Sequence, residues 1–508
     1  MSNSRSKNTI LNIVIGFLSQ IGILLLSFIG RRIFVYFLSV DYLGINGLYS
    51  NILSVLSLAE LGLGSVVQFF LYKPVAENDQ PLIRSLMHYF KKLYVGVAAA
   101  ILGLGLMLIP LLNYIVNSDL PQNELIIYYF IFLLNSVASY LSAHKVALLA
   151  AYQDNRLHKL LLFFTNFLLQ VSYILILFVW RDYMVYVFAM LVFTIVNQIL
   201  LSVICDKRYP YLKEKSQYIN FNKTKILESV KSTFIYKIGS TIINNTDNLL
   251  ISMIVNTLAV GLYSNYYMVV NAVQGFLTII TTSLISAIGN LSAGKNVQRM
   301  LDVFKAILLV YHFIAAYGAI SFFLLFEDFI SIWLGEAFVL DTATVFAIAL
   351  NFYLTNAISP IWMFREANGL FAQVKYLLLT TAIFNIILSI IFGNMFGMAG
   401  VLGATVIARM LTQVWYEPHI LFQTVFGASQ KVYWTKQFRY VILTGIAAMI
   451  CRCLYLIMPH NIIFLFIKAI MFLVVCGTLF MLGCIRTREF TEMRDIVKNI
   501  VRKTSQQI

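Results

Sequence analysis

The sequence predicts an all-α polytopic membrane protein of about fourteen transmembrane helices, arranged as two parallel-repeat six-helix bundles followed by a C-terminal helix pair. Three observations predict it. Of the 508 residues, 60% are hydrophobic and 12% charged, with a mean hydropathy of +0.82, whereas soluble proteins carry about 45–50% apolar and about 25% charged residues. A spanning helix uses about 20 mainly apolar residues, so fourteen take up nearly the whole apolar supply and leave no large soluble domain. A five-residue segment recurs at an offset of 214 residues in the same topological place.

Apolar stretches of spanning length fall at residues 9–36, 47–72, 93–116, 125–150, 157–180, 183–205, 230–256, 260–288, 302–326, 341–364, 371–393, 399–424, 438–458 and 461–485. The first follows Arg5 and Lys7, and its run from Thr9 to Gly30 exceeds the roughly 7–15 residues of a signal-peptide core, so it reads as an uncleaved first helix. The connections give an independent check through the bias of Lys and Arg toward cytoplasmic loops. With a cytoplasmic N-terminus, 31 of the 37 Lys and Arg residues fall in inner segments, and only Arg181 sits in an outer connection. One helix too many or too few would invert every later loop. The alternation therefore supports the helix count, and both termini are expected in the cytoplasm.

The net charge of +15 is then mainly a topology signal, with attraction to anionic inner-leaflet lipids beside it, and calls for no nucleic-acid partner. Trp180 and Trp333 fall at predicted outer boundaries and Trp434 near an inner one, as expected of interfacial anchors. The longest outer connection is about Glu327 to Leu340 and the longest inner one Asp206 to Ser229. No catalytic domain fits there. A phosphate loop, HExxH and Cys/His metal spacing are all missing from the sequence, so neither an enzyme nor a cofactor is expected. Cys205, Cys451, Cys453, Cys476 and Cys484 lie in or at the ends of apolar runs and read as reduced packing residues.

Gly47-Leu48-Tyr49-Ser50-Asn51 recurs as Gly261-Leu262-Tyr263-Ser264-Asn265, at the start of the second and eighth stretches. A duplication of six helices relates its copies by an axis along the membrane normal, as in transporters built from parallel halves. The expected organisation is an N-terminal bundle within 1–205, a cytoplasmic connection at 206–229, a second bundle at 230–424, an extra helix pair at 425–485 and a basic cytoplasmic tail at 486–508.

Ionisable residues at bilayer depth are costly and mark cavities, partners or pathways. Asp247 lies ten residues, about 15 Å of helix, beyond Lys237, amid Asn244, Asn245, Thr246 and Asn248. That patch reads as cavity lining or an ion-coupling site, or else as a polar clamp between helices. The 214-residue offset carries Asp247 onto Ile33, beside Arg31 and Arg32, which line the cavity or snorkel to the outer interface. Glu60 stands thirteen residues past Gly47 before Gly62 and Gly64, as a proton carrier or a structural hydrogen-bonding group. Arg409, Gln413 and Glu417 share one helix face at i, i+4 and i+8. Arg409 is the deep anion contact of the three, while Glu417 partners it or meets solvent. Arg452 and Lys468 read as outer-leaflet snorkels or lipid-phosphate contacts, and Arg365 with Glu366 as a solvated pair.

Gly30-Arg31-Arg32 through Tyr42-Leu43-Gly44 and Gly47-Leu48-Tyr49, the Ala59-Glu60-Leu61-Gly62-Leu63-Gly64 turn, and Asp247 leading to Gly261-Leu262-Tyr263 resemble the multidrug/oligosaccharidyl-lipid/polysaccharide (MOP) exporter superfamily, and within it the Wzx-type polysaccharide flippases. The resemblance in topology spans the whole chain, on short motifs. It implies a bacterial cytoplasmic-membrane flippase moving isoprenoid-diphosphate-linked oligosaccharide to the outer leaflet by alternating access, with membrane lipids and other polysaccharide-assembly membrane proteins as partners. By resemblance, Arg31, Arg32 and Arg409 meet the diphosphate, and Glu60, Asp247, Asn244, Asn245 and Gln413 supply polar or ion-coupling groups. The lipid II branch has a more cationic N-terminal bundle than this one. A cation-coupled multidrug exporter of the same superfamily is the alternative; it calls for an acidic, aromatic cavity.

Overall fold

The computed structural model describes residues 21–57, 63–152, 154–214, 221–294 and 296–505. They are almost wholly helical, as a bilayer demands of a chain whose backbone groups must bond within their own segment. The helices are α1 (21–37), α2 (Val40–Leu56), α3 (Leu63–Ala76), α4 (Gln80–Leu108), α5 (Leu112–Ile115), α6 (Gln122–Ser139), α7 (Ala143–Ala151), α8 (Asn155–Val179) and α9 (Tyr183–Arg208). They continue as α10 (Lys223–Ile254), α11 (Thr257–Ala293), α12 (Val297–Trp333), α13 (Thr342–Ala367), α14 (Phe371–Leu411), α15 (Gln413–Leu421), α16 (Lys431–Ile457), α17 (Ile462–Cys484) and α18 (Arg488–Ser505).

Among the described residues, ten helices are long and apolar enough to cross a membrane. The expected fourteen exceed this number for identifiable reasons. The stretch 9–36 begins outside the described residues, 47–72 contains 58–62, which also lie outside them, and α10 carries too many polar residues for an apolar span. The stretches 371–393 and 399–424 fall within one segment, Tyr376–Phe426, made of two helical arms that meet at the non-helical Gly397. That segment reverses direction. Gly397 has φ 60° and ψ −137°, a region open in practice to glycine alone. Thr381 and Thr412 then share a hydroxyl hydrogen bond at 2.8 Å, and Asn385 Nδ2 donates to Thr405 Oγ1 at 2.8 Å, so the two arms pack antiparallel. At Gly400 a Cβ would lie 1.9 Å from the Phe392 carbonyl oxygen.

Helix starts follow from the loop residues before them. Asp79, Asp182, Asn222, Asn296, Asp341 and Asn461 each cap a helix, their side chains accepting from an amide three residues on at 2.9–3.0 Å. Such caps satisfy amides that have no partner within the helix.

The described residues divide into two compact units, one ending at Gly261 and the other beginning at Leu262. In the first, Tyr49 donates to the Leu125 carbonyl at 2.9 Å and Tyr129 to that of Gly105 at 3.0 Å, so each buried ring spends its hydroxyl on a neighbouring backbone. Tyr42, Tyr128, Tyr183, Tyr186 and Phe34 form a continuous aromatic cluster. Helix α10, placed by the repeat at the head of the second bundle, packs on α2 and α3 in this unit. There α2 meets the start of α11 backbone to backbone. A Cβ on Gly44 would stand 1.9 Å from the Thr257 carbonyl oxygen, and one on Gly261 2.5 Å from that of Val40.

In the second unit α12 is the central element, packed on α13, α16, α17 and α18. One apolar cluster joins Phe304, Tyr311, Phe364, Phe422, Phe426, Tyr433 and Tyr440, and another joins Ile320, Leu324, Cys451, Phe472 and Cys476. Cys205 and Cys484 are buried as well, and Cys453 is exposed.

Candidate functional site

Among the described residues, the polar side chains singled out from the sequence lie in both units. In the second unit Arg409 of α14 meets α13. Pro360 lies inside α13, and lacking an N–H it returns no helical hydrogen bond to the carbonyl of Asn356. Asn351, Thr355 and Asn356 occupy the turns just before it. The Arg409 guanidinium donates to Asn351 Oδ1 at 3.1 Å and, through a short contact, to Thr355 Oγ1. Both acceptors are neutral side chains, and they orient the guanidinium. Asn356, fully buried, donates from Nδ2 to the Phe352 carbonyl at 2.9 Å and to Gln274 Oε1 of α11 at 3.3 Å. Its Oδ1 is buried with no hydrogen-bond partner among the described residues.

Arg409, Gln413 and Glu417 do not ride on one unbroken helix. Thr412, at φ −125° and ψ −75°, separates α14 from α15. Arg409 and Glu417 nevertheless both turn toward α13, Glu417 taking a hydrogen bond from Arg365 Nη1 at 2.9 Å. Gln413, half-buried, lies just past the break. Arg365 is 2% exposed and Glu417 7%, so the solvated Arg365–Glu366 pair expected from sequence is instead a buried Arg365–Glu417 pair, with Glu366 3.6 Å from the same guanidinium.

In the first unit the polar run of α10 satisfies itself in part. Asn245 Nδ2 donates to the Thr241 carbonyl at 2.8 Å and Thr246 to that of Ile242 at 2.9 Å. Asp247 is half-buried and Asn248 buried. The Asn244 side chain and all of Glu60 lie outside the described residues. Arg31 is half-buried, within electrostatic range of the Tyr186 hydroxyl, and Arg32 is exposed. Tyr186 stacks on Tyr173 with ring centroids 3.9 Å apart. Thr257 N donates to the Asn117 carbonyl at 2.9 Å, and Ser252 to that of Ile115 at 2.8 Å, tying the end of α10 to α5.

Lys468 is not a snorkelling residue. It has no exposed surface, and its ammonium lies 2.9 Å from Asp328 Oδ2. Tyr455 donates to Asp328 Oδ1 at 3.1 Å, and His460 Nδ1 lies 2.7 Å from it. This knot fastens α16 and α17 to α12. Arg452 is exposed, 5.7 Å over the Tyr455 ring.

Sequence reasoning missed Asn351, Thr355, Asn356 and Gln274, neutral residues whose signal is the spacing of four from Asn351 to Thr355 just ahead of Pro360. It also missed Asp328, set close to a helix end where solvation is the ordinary expectation.

No protein-family model matches the chain, and no curated protein matches it in sequence. Solved structures do match. The lipid II flippase MurJ in an inward closed conformation is 16% identical, with a TM-score of 0.69, over 93% of this chain and 100% of MurJ. An inward-facing MATE multidrug resistance transporter of the MOP superfamily is 14% identical, with a TM-score of 0.58, over 80% of this chain and 99% of its own. A Vibrio cholerae MATE transporter, VcmN in a mutant form, is 14% identical, with a TM-score of 0.56, over 84% of this chain and 100% of VcmN. At such identities the likeness is one of fold, and with its apolar helices it makes this chain a multi-pass membrane protein with the fold of the MurJ and MATE transporters.

Proposed function

We propose that this protein is a Wzx-type flippase that moves isoprenoid-diphosphate-linked oligosaccharide units from the inner to the outer leaflet of a bacterial cytoplasmic membrane by alternating access. In this reading the chain crosses fourteen times with both termini cytoplasmic. The observation that carries it is the span of the fold likeness. MurJ, a flippase of a lipid-linked precursor, covers 93% of the chain, whereas a MATE transporter aligned over 99% of its own length leaves a fifth of this chain without a counterpart.

The site residues are compatible with that cargo. Arg409, held by Asn351 and Thr355, offers a positioned cation to a diphosphate, and guanidinium suits phosphate better than ammonium does. Asn356, Gln274 and Gln413 offer amides to sugar hydroxyls. Arg31 and Arg32 supply further positive charge, and Asp247 and Glu60 are the proposed ion-coupling acids.

Removal of the protein from its native cell tests this reading. Lipid-linked oligosaccharide should then accumulate at the cytoplasmic face, open to a glycosidase in inverted vesicles and closed to it in intact protoplasts. Accumulation at the outer face would sink the proposal. Coupling is tested separately: transport by Asp247→Asn and Glu60→Gln at the wild-type rate under every pH and sodium gradient would remove both acids from that role.

A further inference from the structure

Where α8 begins and α9 ends, the first unit contains a cavity of about 490 Å³ lined by Asp154, Leu157, Leu160, Ile204, Lys207 and Arg208. None of these belongs to the polar sites above. The wall is apolar and the rim is charged, so the cavity suits an amphiphile better than a sugar or a free ion. The rim is also built. On α9, Asp206 is turned away toward α7, where Lys145 Nζ lies 2.5 Å from its carboxylate and 2.7 Å from the Ser202 hydroxyl. Past the end of α9, Tyr209 stacks on Tyr152 at 4.6 Å, and Tyr211 shares a hydroxyl hydrogen bond with Tyr152 at 3.0 Å. These contacts fix the turn that carries Lys207 and Arg208.

The sign of the rim follows from the charges present. Asp154 Oδ2 lies 3.3 Å from Arg208 Nε, which occupies one edge of the guanidinium, on a side chain 63% exposed. Asp154 stands at the cap position of α8 yet makes no capping hydrogen bond, so its carboxylate is spent on Arg208. Lys207 is exposed and in no ion pair among the described residues, which leaves the rim with one cation in excess. Next to the cavity Leu160, Leu200 and Val203 are exposed on the same two helices, and in a fourteen-crossing topology this end faces the cytoplasm.

The geometry points to a phospholipid site of the cytoplasmic leaflet: an anionic phosphate head group held by Lys207 and Arg208, with its first methylenes against Leu157, Leu160 and Ile204. The volume is that of one drug-sized ligand. It holds a glycerophosphate head and the start of an acyl chain, and has no room for a diphosphate carrying an oligosaccharide. The occupant is therefore resident lipid and not cargo.

The test uses the full chain purified into phosphatidylcholine nanodiscs, with phosphatidylglycerol titrated in and retained lipids counted by native mass spectrometry. Wild-type protein should keep one phosphatidylglycerol in preference to phosphatidylcholine, on the order of tenfold, as expected of two basic contacts at a membrane surface. Lys207→Gln with Arg208→Gln should lose that preference while melting normally in pure phosphatidylcholine. Asp154→Asn should strengthen it, because removing the carboxylate releases Arg208; this opposite sign keeps the test decisive if the double variant folds poorly. Lys498→Gln, a cation elsewhere on the surface, should change nothing. Equal retention by wild type and the double variant would overturn the site, and so would an equal loss in Lys498→Gln. Displacement of phosphatidylglycerol by an equimolar isoprenyl diphosphate would also overturn it, by making the site an entry point for cargo.

Discussion

Lys468 and Asp328 show what burial does to charges that a sequence places near a helix end. Each is expensive to desolvate alone, and together with Tyr455 and His460 they hold three helices in one knot. Lys468→Met should destabilise the folded protein by about 3–5 kcal/mol, because it strands the Asp328 carboxylate. The double variant Lys468→Met with Asp328→Leu should recover most of that loss. Denaturation midpoints in detergent measure both, and a double variant as weak as the single one would contradict the pairing. At Arg409 the expected loss is in transport. Arg409→Ala should slow translocation about tenfold or more, the worth of charged hydrogen bonds, and Arg409→Lys should recover little, since one ammonium cannot copy the geometry that meets Asn351 and Thr355.

Elements meet where side chains are smallest. At the crossing of α2 with the start of α11, a side chain at Gly44 would collide with the Thr257 backbone, and backbone cannot rotate aside as a side chain can. Gly44→Val should therefore cost about 1–3 kcal/mol or more. Gly96→Ala, with open space around its Cβ, should be neutral or stabilising by about 0.5–1 kcal/mol. Equal melting temperatures for the two variants would refute the close approach.

The amphipathic α18 is fastened to the second unit by Lys436 on Glu489 at 2.5 Å, Arg488 on Asp302 at 2.7 Å, and Arg299 on Glu492. Burial pushes the Glu489 carboxyl up, but the Lys436 ammonium and the local backbone outweigh it and hold it below the usual carboxylate range. A depressed carboxylate stabilises the folded form fully above its unfolded pKa, about 4.3, and that stabilisation is lost as pH falls through the folded value. Hydrogen-exchange protection of 488–505 should be constant from pH 7 to 5 and fall below about pH 4. Protection that fell on raising the pH from 5 to 7 would contradict the assignment.

At the scale of the molecule, the class was legible because it rests on sums: apolar content, the placement of Lys and Arg, and the length of each run all average over many residues. The reversal at Gly397 was legible as the gap between the stretches 371–393 and 399–424. The site was less legible, because which buried groups meet is decided by pairings remote in sequence. Asn351 with Arg409 and Asp328 with Lys468 lie 58 and 140 residues apart, and no local pattern announces either. The repeated Gly-Leu-Tyr-Ser-Asn segments show the converse. Tyr49 and Tyr263 are both buried, so the most visible motif lies in packed structure.

The account stands or falls on cargo. Purified protein in proteoliposomes, given a fluorescent isoprenoid-diphosphate oligosaccharide and scored with a membrane-impermeant quencher, should bring the glycolipid to the opposite leaflet, Arg409→Ala should fail to do so, and a cationic dye tested in parallel should not move. Dye transport without glycolipid movement would make this protein a drug exporter and leave Arg409 a packing residue.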